Sequence, residues 1–135
     1  MALFSSAAVS TNAQSAYGVR ANVPFDFTVG DKTFQAGKII TGMPRSDAGA
    51  MTIRNIDNGQ HALRVARTLR GADTSDLAKL VFRKYGNRYF LAEVWVPGVR
   101  VWEVIKSRSE RAIEREIRLA SNSKPELVTV SADTQ

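Results

Sequence analysis

Leu77-Ala78-Lys79-Leu80-Val81-Phe82-Arg83-Lys84, then Tyr85-Gly86-Asn87, then Arg88-Tyr89-Phe90-Leu91-Ala92-Glu93-Val94-Trp95-Val96 is the stretch that decides the fold. Leu80 and Phe82 share one parity and Tyr89 and Leu91 form a second face-forming set, the period of two expected of strands. Tyr85-Gly86-Asn87 supplies residues that accept the positive φ of a tight turn. The passage reads as a β-hairpin.

Toward the N-terminus the same period recurs. Val19, Ala21, Val23, Phe25, Phe27 and Val29 keep one parity across Pro24, which cannot donate a ladder hydrogen bond and so marks an edge, a bulge or a strand break. Gly30-Asp31-Lys32 turns the chain into Thr33-Phe34, and Ala36-Gly37 turns it again into Lys38-Ile39-Ile40-Thr41, which suits an antiparallel meander. Gly42 to Gly49 is a polar, turn-rich loop. Met51, Ile53 and Asn55 then alternate with Thr52, Arg54 and Ile56, and Asn58-Gly59 is a two-residue hairpin signal. Its partner is Ala62 to Leu69, where Leu63, Val65 and Leu69 fit a strand face, although Arg64, Arg67 and Arg70 also have helical spacing; the preceding turn favours a strand. A loop at 71–76 follows.

Toward the C-terminus, Pro97-Gly98 ends the hairpin and Val99 to Val104 is a short strand carrying Trp102. Ser107-Arg108-Ser109-Glu110 has capping-box spacing, with Ser107 accepting from an early helical N–H and Glu110 reaching back to the cap. A helix from Arg108 to Ala120 follows, with Ala112, Ile113, Ile117 and Ala120 as a narrow apolar stripe. Glu126 to Val130 forms a last strand, and Ser131 to Gln135 is expected to fray. The fold class is mainly β: an antiparallel sandwich or small barrel of about seven to eight short strands with one C-terminal helix that plugs an open end or covers an edge.

The 135 residues suit one core. A hydrophobic fraction of 44% and a charged fraction of 24% are those of a globular chain. Cysteine is absent, which excludes disulfides, thiolate zinc sites and thiol catalysis. No apolar stretch is long enough for a membrane-spanning helix. Residues 1–16 carry no charge and pass from apolar to small and polar residues, ending Ala13-Gln14-Ser15-Ala16 like the tail of a secretory signal. The organisation expected is therefore a signal-like tail over 1–16 and one β-rich domain over 17–135.

His61 is the only histidine; following a turn, it reads as a solvated strand-start residue. No nucleophile elbow, zinc-protease helix or phosphate-binding glycine run is present, so no catalytic residue, metal or cofactor is expected. Glu93 and Glu103, in neighbouring strands beside Trp95 and Trp102, have the makings of a sugar cleft. The plainer expectation is that both acids face outward and pair with Arg83, Arg88 or Arg100. The net charge is +6, and thirteen of the nineteen cations are arginine, the residue suited to planar contacts with anions. Arg108, Arg111, Arg115 and Arg118 recur at spacings that place four guanidinium groups on one helix face, a candidate anion-binding surface. Glu110, Glu114 and Glu116 weigh against it by making the helix mixed in charge. Phe82, Tyr89 and Phe90 interleave with Arg83, Lys84 and Arg88, and read as core.

Val23-Pro24-Phe25-Asp26-Phe27-Thr28-Val29-Gly30, Phe34-Gln35-Ala36-Gly37, Ala78-Lys79-Leu80-Val81-Phe82, Tyr85-Gly86-Asn87-Arg88-Tyr89-Phe90-Leu91 and Lys106-Ser107-Arg108-Ser109-Glu110-Arg111 give the chain a likeness from Ala21 to Leu119. It resembles an uncharacterised family of small exported proteins met mostly in acidobacterial genomes. That resemblance implies export, periplasmic or extracellular, and carries no activity or functional residue. The expectation is thus a non-enzymatic exported structural or self-assembling protein, pairing with copies of itself through its tail or strand edges. The alternative is a binding module for an anionic polymer or ligand through the basic helix face.

Overall fold

The computed structural model describes residues 18–42, 49–69, 77–98 and 100–134. The tail over 1–16 and the loops after Gly42 and over 71–76 lie outside these residues. The chain is mainly β, as its alternation requires, with a single helix, near the C-terminus, among the described residues. In chain order the elements are β1 (Val19–Val23), β2 (Phe27–Val29), β3 (Lys32–Phe34), β4 (Gly37–Gly42), β5 (Ala50–Asn55), β6 (His61–Thr68), β7 (Lys79–Tyr85), β8 (Arg88–Val96), β9 (Arg100–Val104), α1 (Arg108–Ser121), β10 (Glu126–Ser131) and β11 (Asp133–Thr134). The described residues form eleven strands, more than the seven or eight expected, because β2, β3 and β11 are only two or three residues long.

Neighbours along the sheet run β10-β7-β8-β9-β6-β5-β4-β1-β11. The two ends of this path are one chain segment divided at Ala132: β10 pairs antiparallel with β7, and β11 pairs Asp133 and Thr134 with Arg20 and Val19 of β1. The wall therefore comes back on itself like a small barrel. This is also why Asp133 and Thr134 are paired and do not fray.

The hairpin read first is present, with a bulge on β8 where the register shifts between Val81 and Phe82. The expected N-terminal meander is not. β1 pairs with β4, and β2–β3 is a hairpin set between them in sequence that pairs elsewhere. Thr28 bridges Phe90 in parallel, so β2 lies beside the first half of β8, while β9 takes the second half. Aromatic packing explains the insertion. Phe27 stacks on Phe34 at 5.4 Å and meets Phe82 edge-on at 5.1 Å, and Phe25 stacks on Tyr89 at 3.8 Å. Burying these rings outweighs keeping a sequential ladder, since each phenyl group contributes roughly 1.5–3 kcal/mol on burial.

Amide side chains fasten the inserted hairpin to the opposite wall. Gln60 accepts from Gln35 N–H at 3.0 Å and donates to the Thr33 carbonyl at 2.9 Å, and the buried Asn55 donates to the Gln35 carbonyl at 2.9 Å. The β5–β6 connection that carries them is wider than a two-residue turn: Gly59 N–H bonds the Asn55 carbonyl, and Asn55 N–H bonds the Gln60 carbonyl. Gly30 turns β2 into β3 at φ 64°, and an added Cβ there would lie 2.6 Å from the Arg64 guanidinium. The positive φ calls for a glycine, while the Arg64 guanidinium, at the end of a flexible side chain, would have to move for a Cβ.

The inner face is filled by Val19, Phe27, Phe34, Ile39, Met51, Ile53, Leu80, Phe82, Leu91 and Trp102, all at most 2% exposed. On β6 the small residues Ala62 and Ala66 share the inward parity with Arg64, whereas Leu63 and Val65 point out and are 64% and 62% exposed.

Candidate anion-binding surface

Helix α1 begins where the sequence places it. Ser107 is the N-cap, and its hydroxyl accepts from Glu110 N–H at 3.1 Å. Asn122 ends the helix in the left-handed region at φ 55°, its N–H on the Arg118 carbonyl. The second half of the capping box is not made. Glu110 turns its carboxylate onto the outward face of β7, where it bonds Arg83 through Nε and, at 3.3 Å, through Nη2, and accepts from the Tyr85 hydroxyl at 2.8 Å. Arg83 and Glu110 are both nearly inaccessible. A buried carboxylate with a guanidinium and a phenol to satisfy it is far better placed than one shared with a solvated cap.

These contacts set the protonation of the group. Burial opposes the Arg83 charge, but the hydrogen bond and attraction from Glu110 outweigh it and hold the guanidinium above its ordinary value. Burial pushes the Tyr85 phenol up, and its bond to Glu110 pushes it the same way. The helix therefore neither plugs an end nor covers an edge: it lies against β7, a strand with neighbours on both sides, and is anchored by a polar cluster. Of its expected apolar stripe, Ile113 and Ile117 are half-buried, while Ala112 and Ala120 are exposed.

Arg108, Arg111, Arg115 and Arg118 are all exposed on α1. Arg118 lies 3.6 Å from Glu114; the other three make no ion pair with any described residue. Glu114 is engaged chiefly by Lys106 Nζ at 2.8 Å, and that bond draws its carboxyl below the ordinary range. Of the three acids that oppose the basic face, Glu110 is thus buried and Glu114 is held by a lysine from outside the helix. Glu116 alone remains exposed and unengaged among described residues. Arg108 and Arg111 also stand near the positive end of the helix dipole, where a cation adds to the field and attracts anions.

The structure brings further cations to this surface. Arg67 on β6 stands opposite Glu103 on β9 and bonds it through Nε at 2.7 Å. Arg67, Glu103, Lys106 and Arg111 line one cleft of about 240 Å³. Sequence reading missed Arg67 and Lys106, because only the β6–β9 ladder, between strands far apart in sequence, places them beside α1.

The paired acids take different partners from those expected. Glu93 and Glu103 are directly opposite across β8 and β9 on the outward face. Glu93 accepts from Trp95 Nε1 at 2.9 Å and Glu103 from Arg67, in place of Arg83 or Arg88; the Arg100 side chain lies outside the described part of the structure. Lys79 lies over the Trp95 ring at 4.1 Å, and Trp102 turns inward at 2% exposure, its indole N–H without a hydrogen-bond partner among the described residues. The two tryptophans thus do not wall one sugar cleft. His61 is exposed at the start of β6. Phe82 is in the core and the half-buried Tyr89 packs against it, as expected, whereas Phe90 is buried on the outward face beside Tyr85.

Among the described residues no helix is long and apolar enough to cross a membrane. Comparison with known proteins gives no match: no family model, no curated protein and no solved structure corresponds to this chain.

Proposed function

We propose that the chain is a non-enzymatic binding module, acting outside the cytoplasm, that holds an anionic polymer against the arginine face of α1. The observation that carries this reading is the fate of the acids on the same helix. Glu110 is consumed by Arg83 and Tyr85 and Glu114 by Lys106, which leaves Arg108, Arg111 and Arg115 as exposed donors on a helix fixed to a rigid wall. Arginine is suited to this, since its fork of donors matches oxyanions and its charge is permanent.

The test is retention on immobilised heparin across a salt series, for the whole chain and for Arg111→Glu with Arg115→Glu. Binding at low salt that weakens steeply as salt rises, and is lost in the double variant, supports the reading. No binding at low salt, or binding indifferent to salt, removes it, because contacts with a polyanion release counterions.

One observation favours the other reading, an exported structural protein that associates with copies of itself. Leu63 and Val65 sit side by side on the outward face of β6, 64% and 62% exposed, with Ile56 nearby in sequence at 43%. Exposed apolar surface of this kind marks interaction sites. Light scattering on the whole chain and on Leu63→Ser with Val65→Ser tests it: a monomer in both cases ends that reading.

A further inference from the structure

We propose that the cleft lined by Arg67, Glu103, Lys106 and Arg111 is a subsite for a single tetrahedral oxyanion, a sulfate or phosphate monoester borne by the polymer. This rests on the preceding reading and deepens it by naming the chemical group that is recognised.

Three cations reach the cleft from three directions: Arg67 from β6, Lys106 from the segment between β9 and α1, and Arg111 from the first turns of α1. The three free oxygens of a monoester are presented in the same divergent way, whereas a carboxylate offers two in one plane. The donors are also held ready. Glu103 takes only Nε of Arg67, leaving the terminal nitrogens of the guanidinium for a ligand. Glu114 fixes Lys106 through one bond of the three its ammonium can donate. Arg111 has no ion pair with a described residue. Side chains already ordered by carboxylates lose less entropy on binding. Glu103 is matched by Arg67 and Lys106 by Glu114, so the net attraction comes from Arg111, while Arg67 and Lys106 contribute donors left over from their ion pairs.

The experiment follows the arginine Nε–Hε resonances of the intact chain during titration with inorganic sulfate, inorganic phosphate and acetate. Sulfate and phosphate should move the signals of Arg67 and Arg111 with dissociation constants on the order of millimolar, and acetate should bind more weakly. Arg111→Gln should weaken sulfate binding about tenfold, as expected for losing a charged hydrogen bond. Arg54→Gln, exposed on β5 and outside both the cleft and the helix face, should leave it unchanged. A heparin oligosaccharide and inorganic polyphosphate then tell sulfate esters from phosphate groups as the natural occupant.

If heparin is retained while the small anions leave Arg67 and Arg111 unmoved, the subsite is overturned and the helix-face reading stands. If neither heparin nor the small anions bind, both fall. Sulfate binding as tight in Arg111→Gln as in the parent chain also overturns the subsite.

Discussion

The outward faces of β7–β8 and of β5–β6 are parts of one wall, yet solvent treats them oppositely. Val81, Arg83, Tyr85 and Phe90 point away from the main core and are at most 7% exposed, whereas Leu63 and Val65 point the same way from β6 and are more than 60% exposed. The first face has α1 against it and the second has nothing among the described residues. What attaches α1 is informative. Glu110 is the one fully buried residue of α1, and Ile113 and Ile117 are only half-buried; the helix is docked chiefly through Arg83, Tyr85 and Glu110. Such a buried pair adds little net stability compared with apolar residues of the same shape, but penalises any arrangement that separates its members. It therefore fixes the rotation of the helix, and with it which residues face outward.

The largest effect that breaks this contrast is removal of one member of the cluster. Glu110→Ala should destabilise the chain by about 3–5 kcal/mol in urea unfolding, because Arg83 is left buried and uncompensated. Replacing both, Arg83→Met with Glu110→Leu, should restore most of the loss. The cluster also gives stability an alkaline limit. The phenol of Tyr85 is raised in the folded state, so the folded chain keeps a proton that the unfolded chain releases near pH 10. Stability should be intact below that pH and decline above it, and Tyr85→Phe should flatten the decline in unfolding curves between pH 9 and about 11.

Smaller effects sharpen the comparison on either side. Gly30→Ala, where the inserted hairpin meets Arg64 of β6, should cost about 1–2 kcal/mol from its positive φ alone. Ser107→Ala, which uncaps α1, should cost about 1 kcal/mol. On the bare face, Leu63→Ser should change unfolding free energy by less than about 0.5 kcal/mol, since the side chain has little burial to lose. A large loss there would mean that this face is covered in solution.

What the sequence made legible was local. The β7–β8 hairpin could be read because its turn and both parities lie within twenty residues, and Val19 to Val29 kept its inward parity across Pro24. The cap at Ser107 followed from one hydroxyl and a spacing of three. What could not be read depended on contacts between distant segments. Glu110 has the right spacing for a capping box, and nothing nearby in sequence announces that Arg83 and Tyr85 are waiting for it. β6 misled through composition, because its larger apolar residues face out and its alanines face in, Ala62 opposite the buried Ile53 of the neighbouring strand. The four arginines of the candidate surface were visible from their spacing. Arg67 and Lys106 became visible only with the β6–β9 ladder.

The joining of β10 and β11 at Ala132 has a consequence for how the molecule comes into being. Val19 and Thr134 are register partners at opposite extremes of the described chain, so this seam cannot be sealed by neighbours finding each other locally. Zipping it shut closes the loop from Val19 to Thr134, an entropic toll that grows with the length of the intervening chain and slows folding. Asp133 and Thr134 thus act as a clasp on β1 between segments far apart in the sequence.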